Sequence, residues 1–318
     1  MRAGCVLAPD DIVITTGATE ALLLAVRAVT KPGDTVAIES PTYYGILQVM
    51  RSLGLRALEI PTDPDTGMRV DALARALQRR RVAACFLMPN FSNPLGSRMP
   101  VDKVGAIVEL LGHAGIPLIE DDANGELSFS ETRPRAAKSF DRRGLVMLCG
   151  SVSKMLAPGC RVGWMVPGNA RNRVMELQWT STVSASSPSQ LAVAEYFTSS
   201  ACDRHLRSLR QIVSRNMERF TRAIARDFPP GTTTTRPVGG LVLWVSLPPG
   251  MSALQLHRAA LAERIAIMPG TIFSPGARHD GYVRVCCALP WSDAIEDAIA
   301  RLGRLCTKGV KARGAKDA

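Results

Sequence analysis

CGSVSKMLAPGCRVGWMVPG, residues 149–168, says more about the fold than any other part of the sequence. It places two serines, Ser151 and Ser153, just before Lys154, and Arg161 follows across a Pro-Gly turn. A lysine after a strand end is, taken alone, an ordinary surface residue. At this spacing, however, the lysine, the hydroxyls and the arginine can converge on one phosphorylated aldehyde. Lys154 would form an imine with the aldehyde. The Ser151 hydroxyl and the planar guanidinium of Arg161 would bind the phosphate.

Short apolar runs lie on both sides of this stretch and alternate with helical patterns such as ATEALLLAVRAVT (18–30) and DKVGAIVELLGHAG (102–115). The predicted strands are DIVITT (11–16), TVAIES (35–40), ALEIPT (57–62), ACFLMP (84–89), IPLIED (116–121) and VMLCG (146–150). Alternation of strands and helices predicts an α/β domain with an open, mostly parallel sheet. Ligands of such sheets bind beyond the carboxyl ends of the strands.

The second half of the chain has a different pattern. A helical region is predicted from about 188 to 228, interrupted near 199–201, and strands and helices then mix. The predicted strands are VGGLVLWVSLP (238–248), IAIMPG (265–270) and YVRVCCALP (282–290), and the helices are LQLHRAALAER (254–264) and DAIEDAIARLGRL (293–305). We therefore predict a large domain over 1–205, a smaller C-terminal α+β domain over 206–318, and a disordered basic tail over 307–318.

Composition narrows the class of protein. The 318 residues are 46% hydrophobic and 21% charged, as in globular proteins. No apolar run approaches the ~20 residues of a membrane span, and no signal peptide is recognisable. We expect a cytoplasmic protein with no membrane association. The eight cysteines form no C-x-x-C pair, so buried free thiols are expected rather than a metal site or disulfides.

The net charge of +11 arises from 32 arginines and 7 lysines. A basic balance can indicate nucleic-acid binding. The arginines are scattered, however, and no helix-turn-helix pattern is present. A solvated basic surface is therefore the expected explanation, and no DNA-binding domain is expected in this chain.

Polar residues stand at several strand ends. Gly17, Ala18 and Thr19 join DIVITT to a helix, where exposed backbone N–H groups attract phosphate, although a plain turn explains them too. At 120–122, consecutive acids end a buried strand. Asp121 is the candidate to pair with a pyridine nitrogen, and its negative charge would keep that nitrogen protonated. Of its neighbours, Glu120 and Asp122, one is expected to cap a helix.

Three further positions complete the candidate site. Asn93 precedes a proline, where a turn is the ordinary explanation and an amide donor to a ring oxygen is the functional one. Tyr43 is a candidate to stack on an aromatic cofactor, with Tyr44 as the competitor. Arg284 lies in the middle of an apolar strand, which is costly unless the guanidinium is paired with a substrate carboxylate or a structural acid.

Together these motifs resemble fold-type I enzymes that use pyridoxal 5′-phosphate (PLP), and in particular the class I/II aminotransferases. The greatest likeness is to the aminotransferase-like domain of MocR regulators, a branch of the GntR-type transcription factors. The segments that carry the likeness, from about Pro9 to Leu305, are TTGATEAL, ESPTYYGIL, NFSNPLG, IEDDANGELSF, CGSVSKMLAPGCRVGWMVPG, PVGGLVLWVSLP and IMPGTIFSP.

The resemblance implies a role for each candidate residue. Lys154 would be the Schiff-base lysine and Asp121 the partner of the pyridinium. The other implied roles are the ring-oxygen donor (Asn93), the stacking residue (Tyr43), the phosphate ligands (Ser151 and Arg161) and the substrate-carboxylate clamp (Arg284). Gly17, Ala18, Thr19 and Ser153 are further cofactor-binding candidates. The resemblance also implies a homodimer, in which the apolar faces of the helices at 18–30 and 45–54 would be buried.

Two departures from the family pattern stand out. Asn124 occupies a position where similar proteins often carry a tyrosine that donates to the ring oxygen, and we include Asn124 among the cofactor-binding candidates. The second departure is at the front. Only about ten residues precede DIVITT, so neither the N-terminal arm of related enzymes nor the DNA-binding domain of MocR proteins is expected in this sequence.

Two functions follow as hypotheses. The first is an aminotransferase that moves an amino group between an amino acid and a 2-oxo acid, with Lys154 transferring the proton at Cα. The second is an effector domain that senses PLP and an amine with little or no turnover. A fragment without function is a third, less specific possibility. The set of Lys154, Asp121 and Arg161 favours the enzyme, whereas Asn124 favours the sensor.

Overall fold

The computed structural model describes residues 3–314, and its larger part is built on an eight-stranded sheet. The strands run in the spatial order β1-β8-β7-β6-β5-β2-β3-β4. Their bounds are β1 Val13–Thr15, β2 Thr35–Ser40, β3 Arg56–Asp63, β4 Gly67–Met68, β5 Ala84–Leu87, β6 Leu118–Asp121, β7 Val146–Ser151 and β8 Gly163–Val166. Neighbours among β7, β6, β5, β2 and β3 are parallel, whereas β8 runs antiparallel to both β7 and β1.

Helices cover this sheet. Their bounds are α1 Ala18–Val29, α2 Tyr44–Ser52, α3 Val70–Arg79, α4 Val101–His113, α5 Arg171–Trp179 and α6 Ser187–Thr198. Helix α1 packs on β6, β7 and β8 and buries Ala21, Leu22, Leu24 and Ala25. Every residue of β5, β6 and β7 is buried, which explains why these strands are continuous apolar runs in the sequence.

The smaller part of the molecule contains a four-stranded antiparallel sheet in the order β11-β12-β10-β9. Its elements are α7 Ser200–Asp227, β9 Thr233–Thr234, β10 Val242–Ser246, α8 Ala253–Ala262, β11 Met268–Pro269, β12 Tyr282–Cys286 and α9 Asp293–Gly314. Residues of α7, α8 and α9 share one apolar core with β10 and β12. No helix of residues 3–314 is long and apolar enough to cross a membrane.

The predicted fold class is confirmed in its architecture: a mostly parallel sheet with helices and a smaller α+β part. The helical break near 199–201 is also confirmed, since α6 ends at Thr198 and α7 begins at Ser200. Position 205, where the domain boundary was predicted, lies inside α7. This helix is continuous over 28 residues, so the chain passes between the two parts without a loop at that point.

One expectation needs correction and another stays a prediction. Helix α9 continues to Gly314, with Ile299, Leu302 and Cys306 of its preceding turns in the core, and the disorder predicted for the tail from 307 stays a prediction. Residues 315–318 lie outside the described part. The apolar faces of α1 and α2 were expected to be buried by a partner chain, but they pack into this chain's own core beside β2 and β5.

Glu39, near the end of β2, is a carboxylate inside this core. Its Oε2 atom accepts a hydrogen bond of 2.9 Å from the backbone N–H of Met88 and so ties β2 to the end of β5. Burial raises the pKa of Glu39 from 4.5 to about 8, against the lowering effects of the Met88 N–H and the Lys103 charge. The folded protein therefore holds a proton here that the unfolded chain has lost, and stability falls as the pH rises from 4.5 toward 8.

We predict that Glu39→Gln flattens this part of the stability profile. Glutamine imitates the neutral acid and cannot ionise. Between pH 4.5 and 8, the free energy of unfolding of the variant should therefore rise relative to that of the native protein by up to about 1.4 kcal/mol per pH unit. Urea unfolding of both proteins between pH 5 and pH 8 measures it. Glu109→Gln, on the exposed side of α4, is the control for losing one carboxylate. Parallel native and Glu39→Gln profiles would contradict the prediction.

Candidate functional site

Asp121 and Lys154 come together because β6 and β7 are parallel neighbours. In the register of the two strands Asp121 lies opposite Cys149, and β7 ends at Ser151. The loop after β7 then carries Lys154 past the end of β6. The charge of Lys154 lowers the pKa of Asp121, so the two groups are within electrostatic reach.

Asp121 is held in a nearly water-free position. It is 3% exposed, and its Oδ1 atom accepts a hydrogen bond of 3.0 Å from the Ala123 N–H. Burial raises the pKa of Asp121 to about 6, while the Ala123 N–H and Lys154 lower it. The carboxyl group is thus poised to gain or lose charge in response to a nearby cation.

The predicted phosphate ligands meet at the start of α1. Arg161 Nη2 donates a hydrogen bond of 2.7 Å to the Thr16 carbonyl. A Cβ added to Gly17 would lie 2.5 Å from the same nitrogen, so only glycine leaves room for the guanidinium there. Gly163 is equally constrained, because its Cβ would lie 2.6 Å from the backbone of Gly17. These two glycines let Arg161 lie against the helix end, whose first N–H groups lack acceptors within the helix.

The remaining phosphate candidates differ in exposure. Ser151 is buried, and its Oγ atom accepts a hydrogen bond of 2.9 Å from the Ser153 N–H. Ala18 and Thr19 form the first turn of α1, with Thr19 exposed. All lie at the edge of the sheet that carries Arg161, but the assignment of each to a phosphate stays a prediction.

The tyrosine pair separates into two environments. The ring centroids of Tyr43 and Tyr44 are 5.0 Å apart. Tyr44 packs edge-on against Phe273 at 5.9 Å, in a cluster with Leu95 and Trp244. Burial raises the pKa of Tyr43, and the charges of Tyr44 and Asp121 raise it further. Tyr43 is therefore within electrostatic reach of Asp121, and its choice over Tyr44 as the stacking residue stays a prediction.

Arg284 and Asn93 meet across the two parts of the molecule. Arg284 Nη1 donates to Asn93 Oδ1 at 3.1 Å, and the guanidinium lies 5.5 Å from the centre of the Phe273 ring. The Nε atom of Arg284 is buried without a hydrogen-bond partner, and burial lowers the pKa of the group. Within residues 3–314 no carboxylate pairs with it. The structural acid considered as its partner is therefore not found there, and a ligand carboxylate is left as the natural counter-ion.

The acids beside Asp121 have structural partners. Glu120 accepts hydrogen bonds from the N–H groups of Ala137 and Lys138, at 2.7 and 2.9 Å, where a 3-10 turn begins. The helix cap expected of one acid is therefore made by Glu120. Asp122 is buried and forms an ion pair with Arg133.

A network of buried charges behind Asp122 gave no signal in the sequence. Arg133 Nε lies 2.9 Å from Glu126 Oε1, and Arg210 Nη2 of α7 lies 3.0 Å from Glu126 Oε2. Arg210 and Glu126 are 84 residues apart in the chain, and no spacing rule connects them. The chain of charges ties the turn after Asp121 to the helix that joins the two parts of the molecule.

Asn124 has a partner that the sequence did not suggest. Its Nδ2 atom donates a hydrogen bond of 2.8 Å to the Phe91 carbonyl, and the side chain is buried. The expectation that this amide contacts the cofactor ring stays a prediction, but the described contact is to the backbone.

Comparison with known protein families identifies residues 3–302 with the family model described as aminotransferase class I and II. Among curated relatives, the chain is 39% identical over 303 residues to an HTH-type transcriptional regulator of Escherichia coli K12 named YjiR. The match covers 95% of this chain and 64% of the regulator. A second regulator of that organism, YdcR, is 41% identical, and the match again covers 64% of its length. The chain thus spans less than two thirds of these two relatives.

Named enzymes and solved structures are similar as well. The 2-aminoadipate transaminase of Thermus thermophilus is 31% identical over 301 residues, which cover 93% of this chain and 75% of that protein. The crystal structure of LysN, the α-aminoadipate aminotransferase of Thermus thermophilus in complex with N-(5′-phosphopyridoxyl)-L-leucine, superposes with a TM-score of 0.91. It is 30% identical and covers 96% of this chain and 79% of that one. The predicted fold type is therefore confirmed.

The different surroundings of the two aspartates give a test of their roles. We predict that Asp122→Asn lowers the free energy of unfolding by about 3–5 kcal/mol, because it breaks a buried ion pair and leaves Arg133 partly uncompensated. Asp121→Asn should leave the stability of the cofactor-free protein unchanged or slightly higher at pH 7, since it removes a buried carboxylate and keeps the acceptor for Ala123.

Urea unfolding of the two variants without added ligands measures the difference. A loss of stability in Asp121→Asn equal to that in Asp122→Asn would mean that both acids are structural.

Proposed function

Because the chain belongs to the class I and II aminotransferase family, we propose that it is a PLP-dependent aminotransferase that exchanges an amino group between an amino acid and a 2-oxo acid. One observation carries the proposal. Lys154 and the buried Asp121 lie at the same edge of the sheet as the start of α1, which Arg161 contacts. These residues fit the cofactor. Because Gly17 has no Cβ, the Arg161 guanidinium can lie at the start of α1, where it would bind the phosphate. The buried Asp121 carboxyl would be stabilised by a protonated ring nitrogen.

Each side chain would have a separate task. Lys154 Nζ would hold the cofactor covalently, Arg161 and the start of α1 would hold its phosphate, and Asp121 would face its ring nitrogen. When bound, PLP supplies an electron sink for negative charge at the substrate Cα. Arg284 would hold the substrate carboxylate, and Lys154 Nζ, once released, would remove the proton at Cα.

Asn93 would link the two halves of this site. Its Oδ1 atom is already occupied by Arg284, so its Nδ2 atom is the group left to donate to the oxygen of the cofactor ring. Tyr43 would stack on the cofactor ring. The Asp121 charge contributes to the raised pKa of the Tyr43 phenol, so the two side chains are within electrostatic reach.

A second function is supported by the two regulators of Escherichia coli, whose identities to this chain, 39% and 41%, exceed those of the enzymes named above, 31% and 30%. The chain would then be the part of such a protein that binds PLP and an amine as a signal, with weak or no turnover. The two functions use the same binding residues and differ in whether the Cα proton is exchanged.

We predict that the purified protein, loaded with PLP and reduced with borohydride, carries the label on Lys154. Reduction makes the linkage between Lys154 Nζ and the cofactor permanent, and peptide mapping by mass spectrometry locates it. Lys138, which is bound to Asp141 and to the Val146 carbonyl, is the internal control that should stay unlabelled. Label on another lysine, or none at all, would refute the assignment.

Turnover then separates the two functions. Amino acids with 2-oxoglutarate as acceptor should give measurable transamination if the chain is an enzyme. The second measurement uses an amino acid that carries deuterium at Cα. If this amino acid changes the absorbance of the loaded protein but keeps its deuterium, the result favours the sensor.

We also propose a homodimer and a cytoplasmic location. Met175 and Trp179 lie one turn apart on α5 and are 42% and 70% exposed, and such apolar exposure is typical of a contact surface. All eight cysteines are free thiols, which suits a reducing compartment.

We predict that Trp179→Glu raises the dissociation constant of the dimer by roughly tenfold or more, because a charge replaces a large apolar contact. Sedimentation velocity over a concentration series measures it. Leu261→Glu, at a 49% exposed position of α8, should leave the constant unchanged. A native protein that is monomeric at all concentrations, or a dimer that tolerates glutamate at 179, would contradict the proposal.

A further inference from the structure

The turn that carries Asn124 is anchored to a second loop. After Asp121 the chain turns through Asp122–Leu127, with Gly125 N donating to the Asp122 carbonyl at 3.1 Å and Leu127 N to the Asn124 carbonyl at 2.9 Å. The Asn124 side chain, 8% exposed, points out of this turn and donates to the Phe91 carbonyl at 2.8 Å. One side-chain hydrogen bond therefore joins two loops separated by 33 residues.

Phe91 is an unusual residue to find at the other end of that bond. Its φ of 55° lies in the left-handed region, which bulky residues avoid. The side chain is fully buried and occupies the space where side chains of Gly239 and Gly240 would begin. A ring carbon lies 2.3 Å from a Cβ added to Gly239, and the Phe91 Cβ lies 3.0 Å from one added to Gly240. A backbone of this kind persists only where its surroundings hold it, and the Asn124 amide is one of the groups that do so.

The loop that begins at Phe91 is closed on itself. Ser92 N donates to the Ser97 carbonyl at 3.0 Å, and Gly96 N donates to the Ser92 carbonyl at 2.7 Å. The two serine hydroxyls are 2.7 Å apart. A loop with these internal bonds is expected to move as one body, so a displacement of Phe91 is carried to Asn93, two residues further on.

We propose that Asn124 is a positioning residue for the Asn93–Arg284 pair and acts on it through the Phe91 backbone. Asn93 Oδ1 receives the hydrogen bond from Arg284, so the placement of Asn93 fixes the direction of the guanidinium. Asn124 thereby sets the carboxylate-binding group relative to Asp121, three residues before it in the chain. The inference rests on the proposed function in one respect, namely that Arg284 binds the carboxylate of an amino acid.

The effect falls mainly on substrate binding. The amide of Asn124 is already engaged with Phe91. Lys154, after β7, and Arg161, which precedes β8 and contacts the Thr16 carbonyl before α1, are proposed to hold PLP from other elements, and the Asn93 loop would add only one hydrogen bond to the ring oxygen. Loss of the Asn124 hydrogen bond should therefore weaken the affinity for an amino acid more than the affinity for PLP.

Asn124→Asp is the variant that isolates this hydrogen bond. It keeps the shape of the side chain, removes the donor, and places an oxygen opposite the Phe91 carbonyl. Asn124→Gln keeps an amide donor and should restore part of the effect. The matched control is Asn216→Asp, because Asn216 is also buried, at 5% exposure, and its Nδ2 atom also donates to a backbone carbonyl, that of Leu289, at 2.9 Å.

Two measurements are needed. Hydrogen–deuterium exchange of the cofactor-free protein follows the amides of residues 91–97, and we expect them to exchange several-fold faster in Asn124→Asp and not in Asn216→Asp. Titration of the PLP-loaded protein with L-2-aminoadipate and with L-leucine, followed by absorbance, gives the amino-acid Kd. We expect an increase of roughly fivefold to tenfold in Asn124→Asp, as for one lost hydrogen bond, a smaller increase in Asn124→Gln, and in both variants a PLP Kd that changes less than the amino-acid Kd.

Each other outcome overturns the inference. Unchanged exchange in 91–97 would show that Asn124 does not hold the loop. A changed PLP Kd or absorbance maximum with an unchanged amino-acid Kd would make Asn124 a cofactor ligand. Equal effects of Asn216→Asp on the amino-acid Kd would reduce the role to general stability. If the native protein binds no PLP, the proposed function fails, whereas the exchange experiment still decides whether Asn124 controls the loop of Asn93.

Discussion

The burial of the Asp121 carboxyl at the end of β6 governs the chemistry of the whole site. A carboxylate that is 3% exposed loses most of its hydration, and the loss disfavours the charged form unless hydrogen bonds and a cation offset it. Here one backbone N–H and the charge of Lys154 do so only in part, and the pKa of Asp121 remains at about 6. A further cation at this position would complete the compensation, and a protonated pyridine nitrogen is such a cation.

The neighbouring acids show how the fold keeps this one position open. Successive residues of a strand point to opposite faces of the sheet, so Glu120 and Asp121 cannot share surroundings. Glu120 is used by the backbone of residues 137–138, and Asp122 is used by Arg133. Of three consecutive acids, two thus have full structural partners, and Asp121 alone is left facing Lys154. The buried charges around Arg133 and Arg210 then hold the turn after Asp121 rigidly to α7.

Much of this arrangement could be predicted, because its causes are local in the sequence. Strands β2, β5, β6 and β7 are mostly apolar and buried, and the polar residues at their ends fall at one edge of the sheet. Strand β8 was not predicted, since GWMV is short and begins at a glycine whose role, close approach to Gly17, depends on the folded structure. The Arg210–Glu126 pair and the bond from Asn124 to Phe91 join residues far apart in the chain, and the buried faces of α1 and α2 likewise required the whole fold.

The enzyme and sensor hypotheses differ in what they require of the charged side chains, and this difference is sharper than the one that residue 124 provides. The relevant property is whether hydrogen bonds hold a side chain in place. A binding domain needs cations fixed on a ligand, and Arg284, held by Asn93 and Phe273, would serve both functions equally. Proton transfer needs in addition a base that is free to leave one partner and reach another atom. Lys154 is exposed and makes no hydrogen bond or ion pair within residues 3–314, whereas Lys103 and Lys138 are each bound by at least two acceptors. Lys154 thus combines a place within electrostatic reach of Asp121 with a side chain that no hydrogen bond holds, the combination that chemistry at Cα would require.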